Sequence, residues 1–182
     1  MAIARGETMR RTDLSDAECP VARSVDELGD WWSLLILRDA LDGMRRFDEF
    51  ADDLAISPAM LTRRLRTLVE RGLMERRRYS ERPERFEYGL TDRGRASQSV
   101  VLALLAWGNH DLDAADRAVV LVDRDSGREI EPVLVDAATG TPLSQLRLEA
   151  TAGPAAGPET QRRFASRTDR RSRRDRERGE PR

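Results

Sequence analysis

The sequence predicts a mainly α fold of the α+β type: short helices around one core, a two-stranded antiparallel ribbon, a small C-terminal β-hairpin appendage and a disordered tail. Three observations predict it. Between residues 20 and 71, apolar residues recur at intervals of three and four in successive short segments. Between residues 73 and 91 the pattern changes to strand-like runs in which aromatic residues alternate with charged ones. From residue 151 onward few apolar residues remain, and arginine dominates.

Residues 1–18 read as a polar lead-in. Pro20 opens a first helix in which Val21, Val25 and Leu28 share a face, and Gly29 closes it. Asp30 caps the next helix, from Trp31 to Leu41, whose WWSLLIL run is apolar enough to be central to the core. Asp42-Gly43 is a turn, after which Phe47, Phe50, Ala51 and Leu54 form the stripe of a third helix. The fourth segment, Ile56 to Arg71, carries two stripes. Leu61, Leu65, Leu68 and Val69 occupy the face that must be buried, and Ala59, Thr62, Arg63, Arg66 and Glu70 the opposite one. Ser57 is its N-cap, Pro58 suits its first position and Gly72 punctuates its end.

The runs LMERRRY and RFEYGLT favour strands, with SERPE as the hairpin loop between them. Two short helices in tandem, the second basic, followed by such a ribbon, make a winged helix-turn-helix. The second of the pair suits a DNA major groove, with Ser57, Ala59, Thr62, Arg63 and Arg66 expected at base edges. On the wing, Arg77, Arg78, Arg82 and Arg85, together with Arg76, are expected to follow phosphates or enter a narrow minor groove. Taken singly, each of these arginines reads equally well as a solvated surface charge. Thr91 caps one long helix over residues 92–111. Its Val100, Val101, Leu104, Leu105 and Trp107 are too apolar for a lone surface helix, which points to packing on the core or on a second subunit.

Charge and composition narrow the function classes. A chain of 182 residues with 39% hydrophobic and 36% charged residues is one domain with attachments, part of it unpacked. The formal net charge of −1 conceals an uneven distribution. Residues 1–160 hold 22 arginines against 29 acids, residues 161–182 hold 10 against 4, and residues 57–95 hold 11 against 6. A basic patch on an acidic body is the electrostatic footprint of a nucleic-acid partner. Lysine is absent, which reads as a compositional bias. One cysteine, Cys19, excludes an intrachain disulfide framework, and with a single histidine, His110, there is no Cys/His metal cluster. Neither metal nor cofactor is expected. No apolar run approaches a membrane span and MAIARGETMRR lacks a signal-peptide core, so the expectation is a cytoplasmic protein with no membrane partner.

The runs CPVARSVDELGDWWSLLILRDALDGMRRFDEF, ISPAMLTRRLRTLVERGLMERR and ERFEYGLTDRGR resemble the HxlR group of winged helix-turn-helix transcription regulators, over residues 19–112. Cys19-Pro20, Gly29-Asp30, Trp32 with LLILRD, Phe47 and Tyr88-Leu90-Thr91 carry the resemblance. It implies a bacterial homodimer on operator DNA, a DNA-binding and dimerisation domain over 19–112, and subunits paired by the first and the long helices. Val101, Leu104 and Leu105 would line that interface. It also implies a candidate redox or electrophile sensor at Cys19, and an oxidant or small-molecule effector. Trp31 departs from the group, whose members usually carry a basic residue there; it either removes a phosphate contact or adds an aromatic wall to a ligand cavity.

Residues 117–148 form a separate extension. LVDRDSGREI and LVDAATGTPL align at a shift of 13, each reading as a β-hairpin whose Gly127 or Gly140 supplies the positive φ of a bulged turn. The extension serves as a cap, or pairs sheets across subunits, or shapes a pocket. Residues 151–182 are expected to be a disordered arginine-rich tail. For catalysis the sequence offers nothing convergent, so no enzyme is expected. The competing class is a winged-helix adaptor that binds protein without DNA, which has no use for cations concentrated on both helix and wing.

Overall fold

The computed structural model describes Leu14 and residues 16–178; the expectations for residues 1–13, 15 and 179–182 lie outside them. In chain order the elements are α1 (Pro20–Leu28), α2 (Trp31–Leu41), α3 (Phe47–Leu54), α4 (Pro58–Glu70), β1 (Met74–Glu81), β2 (Glu84–Leu90), α5 (Asp92–Arg95), α6 (Gln98–Gly108), β3 (Leu121–Val122), β4 (Glu129–Ile130) and α7 (Pro158–Arg178). The chain divides into two units: residues 28–147, and the two terminal segments together.

In the larger unit α2 is the hub, packing against α3, α4, α6 and β2. Its position follows from its sequence. Asp30 caps it, accepting from the Ser33 N–H at 3.1 Å, and Ile36 and Leu37 are wholly buried against Phe50 of α3 and Leu61, Leu65 and Leu68 of α4. Each such side chain contributes about 1.5–3 kcal/mol of burial. Trp31 departs from the expected apolar core: it stacks on Trp32 with ring centroids 3.9 Å apart and is 61% exposed. A polar pin lies at the other end of α2. Asp39, itself buried, pairs with Arg38 at 2.6 Å, and Arg38 reaches Asp53 of α3 at 3.1 Å. Burial raises the Asp39 pKa, and Arg38 opposes it.

The helix-turn-helix is α3 and α4. Ala55, left-handed at φ 47, ends α3, and Ser57 caps α4 with Pro58 in the first turn. The wing is β1 paired antiparallel with β2, from Met74 opposite Leu90 to Glu81 opposite Glu84. Pairing up to Glu81 shortens the expected SERPE loop to the turn Arg82-Pro83, and Tyr79 is the extra residue of a bulge between Arg78 and Ser80. A third short segment joins this sheet: Arg46 bridges Glu87, and the Tyr88 N–H donates to the Arg45 carbonyl at 2.7 Å.

The expected long helix 92–111 is instead two pieces, α5 and α6, separated at Ala96-Ser97. Its start is fixed by Thr91, whose hydroxyl accepts from the Gly94 N–H at 3.0 Å and donates to the Gly72 carbonyl at 2.7 Å. Gly94 then presses so close to the Leu73 carbonyl that an added Cβ would lie 2.0 Å from its oxygen. The Ser97 hydroxyl donates to the Gly94 carbonyl at 2.6 Å, and the chain restarts as α6 at Gln98.

Beyond α6 the two hairpins repeat the same geometry 13 residues apart. Asp123 takes the Arg128 carbonyl and Asp136 the Thr141 carbonyl through their N–H groups, while Gly127 and Gly140 sit at φ 67 and 71. Only the first hairpin has a named strand pair, β3 with β4; the second is a single Val135–Pro142 bridge.

In the terminal unit Pro158–Arg178 is helical. Pro158 follows Gly157 and suits the first position, Glu159 lies in the first turn, and arginine and glutamine are good helix formers. The Gly157 N–H donates to Glu18 at 3.1 Å, which ties this helix to the segment before α1.

Candidate nucleic-acid interface

Leu61, Leu65 and Leu68 bury one face of α4 completely, which turns Ala59, Thr62, Arg63 and Arg66 outward. Their side chains are committed to different degrees. Ser57 is exposed but its hydroxyl accepts from the Met60 N–H, and Thr62 donates to the Pro58 carbonyl at 2.8 Å, which leaves its oxygen free to accept. Arg66 lies 3.6 Å from Glu70, a pair exposed enough to exchange for another partner at little cost. Among the described residues Arg63 makes no ion pair. Arg64, one position on, is turned inward and pairs with Asp30.

The wing sorts its arginines likewise. Arg77 pairs with Glu75 at 2.5 Å, and Arg78 lies 3.5 Å from Glu81 and 3.7 Å from Glu84. Arg76 covers the Phe86 ring at 3.4 Å, a cation–π contact. At the tip Arg82 and Arg85 are exposed and, among the described residues, have no carboxylate partner. Sequence reasoning missed the Arg45-Arg46 corner between α2 and α3. Both residues are exposed; Arg46 lies over Tyr79 at 5.2 Å, and both backbone N–H groups donate to Glu49 at 2.8 Å. Those donors, Arg45 first, lower the Glu49 pKa. The signal was legible, because Glu49 stands three residues after Arg46 as in a capping box.

On α6, Val101 and Leu105 are half-buried and Leu104 is 44% exposed, beside Val100 and Trp107 at 42% and 77%. In the terminal unit Cys19 is partly exposed at the start of α1. Its pKa is lowered, chiefly by the Ala22 N–H; burial, the next largest effect, opposes this, and the Val21 N–H and the guanidinium of Arg163 then lower it further. Arg163 belongs to α7, which the sequence reading did not expect to be ordered. Among the described residues no group of histidine, cysteine and carboxylate side chains could hold a metal, and no helix is long and apolar enough to cross a membrane.

Tandem helices, a basic exposed face on the second and a ribbon with cations at its tip define a winged helix-turn-helix regulator of transcription. The chain belongs to the HxlR-like helix-turn-helix family, whose model matches residues 27–116. It is 36% identical over 135 residues to an uncharacterized HTH-type transcriptional regulator of Mycobacterium tuberculosis, covering 74% of this chain and 85% of that one. With the HTH-type transcriptional regulator YodB of Bacillus subtilis the identity is 32% over 105 residues, covering 57% and 94%. Among solved structures it is similar to PA1374 of Pseudomonas aeruginosa, a candidate transcription factor: 48% identity, TM-score 0.60, covering 80% of this chain and 99% of that one. PA1607, another candidate transcription factor, gives 39% identity and a TM-score of 0.68, covering 78% and 100%.

Proposed function

We propose that this regulator binds double-stranded operator DNA as a homodimer and represses transcription by occupying the promoter. The observation that carries this reading is Arg63: an exposed arginine with no ion pair among the described residues, on a helix whose other face is locked into the core. Arg63, Thr62 and Ala59 face base edges, with Ser57 shaping the helix start and Arg66 released from Glu70 to a base or phosphate. Arg82 and Arg85 hold the backbone, joined by Arg77 and Arg78 as they exchange carboxylates for phosphates. The exposed Val100, Leu104 and Trp107, with Val101 and Leu105 beside them, supply the subunit contact. Footprinting on the region upstream of its own gene tests the proposal. Protection of a two-fold symmetric site supports it, while binding that is equal on all sequences, or absent, favours the protein-binding adaptor.

A second reading concerns regulation. The N–H groups of Ala22 and Val21 and the charge of Arg163 favour the Cys19 thiolate, the form that reacts with oxidants and electrophiles. Retention of oxidant-sensitive DNA binding in Cys19→Ser overturns this role.

A further inference from the structure

The extension and α6 enclose a groove of about 460 Å³. Leu102, Ala103 and Ala106 form its α6 side, and Val133, Leu134 and Leu143 its extension side. Its polar groups come from two hydroxyl residues, Ser99 and Ser144, and no lining residue carries a charge. Three features of the groove bear on its occupant.

The first is which face of α6 it uses. At about 100° per residue, Ser99, Ala103 and Ala106 share one face of the helix. Val100, Leu104 and Trp107, the exposed stripe, lie roughly a third of a turn away, and Val101 and Leu105 form a third face. A subunit seated on the exposed stripe leaves the groove open. The second feature is size. A stable subunit contact covers about 800 Å² on each partner, whereas a concavity in the range of about 300–1,000 Å³ suits one small organic molecule. The third is chemistry. A charged ligand would give up hydration for a wall that offers no countercharge, but one hydroxyl or carbonyl group can be met by Ser99 or Ser144.

We propose that this groove binds a small, uncharged, predominantly apolar organic molecule bearing one hydrogen-bonding group. The site is independent of the DNA-binding reading, because occupancy is measured without DNA.

The test is titration of the full chain with N-phenyl-1-naphthylamine, a neutral apolar probe that fluoresces when removed from water. Saturable binding of one probe per chain is expected. Ala103→Trp, which fills the groove, and Val133→Asp, on its exposed rim, should each weaken binding at least tenfold with unchanged circular dichroism. Val122→Ser, on the other hairpin, should leave it within twofold. The anionic 1-anilinonaphthalene-8-sulfonate should bind more weakly than the neutral probe. Absence of saturable binding overturns the proposal, as does binding indifferent to both groove variants, equal loss in Val122→Ser, or preference for the anion. Should Val133→Asp instead halve the sedimenting mass, a second copy occupies the groove and the proposal fails.

Discussion

Arg64 of α4 is ion-paired with Asp30, the cap of α2, and the two side chains are only 17% and 19% exposed. One carboxylate thus serves two elements: it starts α2 through Ser33 and fixes the rotation of α4 about its own axis. That rotation decides that Arg63 faces outward. Asp30→Ser keeps a capping hydroxyl but strands the Arg64 charge, and should cost about 3 kcal/mol in urea unfolding. Adding Arg64→Met should recover much of the loss. If the double variant is as unstable as Asp30→Ser alone, the pair is not what holds the helix.

Gly94→Ala tests the junction between wing and α5. Its Cβ would meet the Leu73 carbonyl oxygen, a backbone atom that cannot rotate away. The expected cost is about 3 kcal/mol, the upper end of overpacking, read as a lower denaturant midpoint at unchanged slope. Wild-type stability would show that α5 can lift off Leu73 freely.

For the interface, Arg63→Ala and Arg85→Ala should fail differently. Loss of a bidentate base contact should cost about 1–3 kcal/mol on the preferred site and little on random duplex. Loss of a phosphate contact should weaken both alike and reduce the log–log salt slope by about 0.9. Equal losses on both duplexes for Arg63→Ala would remove it from the reading face.

Cys19 makes a prediction in pH. Its lowered pKa means that the thiolate is populated at lower pH than in an ordinary thiol, so alkylation by iodoacetamide should reach half its maximal rate below the usual midpoint. Arg163→Ala should move the midpoint upward only part of the way, because the Ala22 N–H is the larger influence. A midpoint at the ordinary thiol value would remove the case for a reactive cysteine.

The helix-turn-helix was legible because each boundary has a local cause. Ser57, Pro58 and Gly72 act within one turn of where they stand, and the Leu61, Leu65 and Leu68 stripe needs no partner to be recognised. What stayed hidden depends on contacts far apart in sequence. The seating of α5 depends on Thr91 reaching Gly72 and on Gly94 meeting Leu73, and the inward turn of Arg64 on Asp30. The pairing of Arg66, Arg77 and Arg78 with neighbouring carboxylates is likewise a matter of geometry, since composition shows only that both charges are present.

The two extension hairpins close their turns entirely through near neighbours: Asp123 binds Ser126 and the Asp125 N–H, and Asp136 binds Thr139 and the Ala138 N–H. The wing junction, by contrast, waits for Thr91 to find Gly72, 19 residues away. Loop closure of a few residues belongs to the fastest events in folding, and hairpins form within about 1–10 μs. In temporal terms the ribbon and the extension hairpins can each close their own turns early, while the junction that fastens the wing to α4 must await a partner 19 residues away.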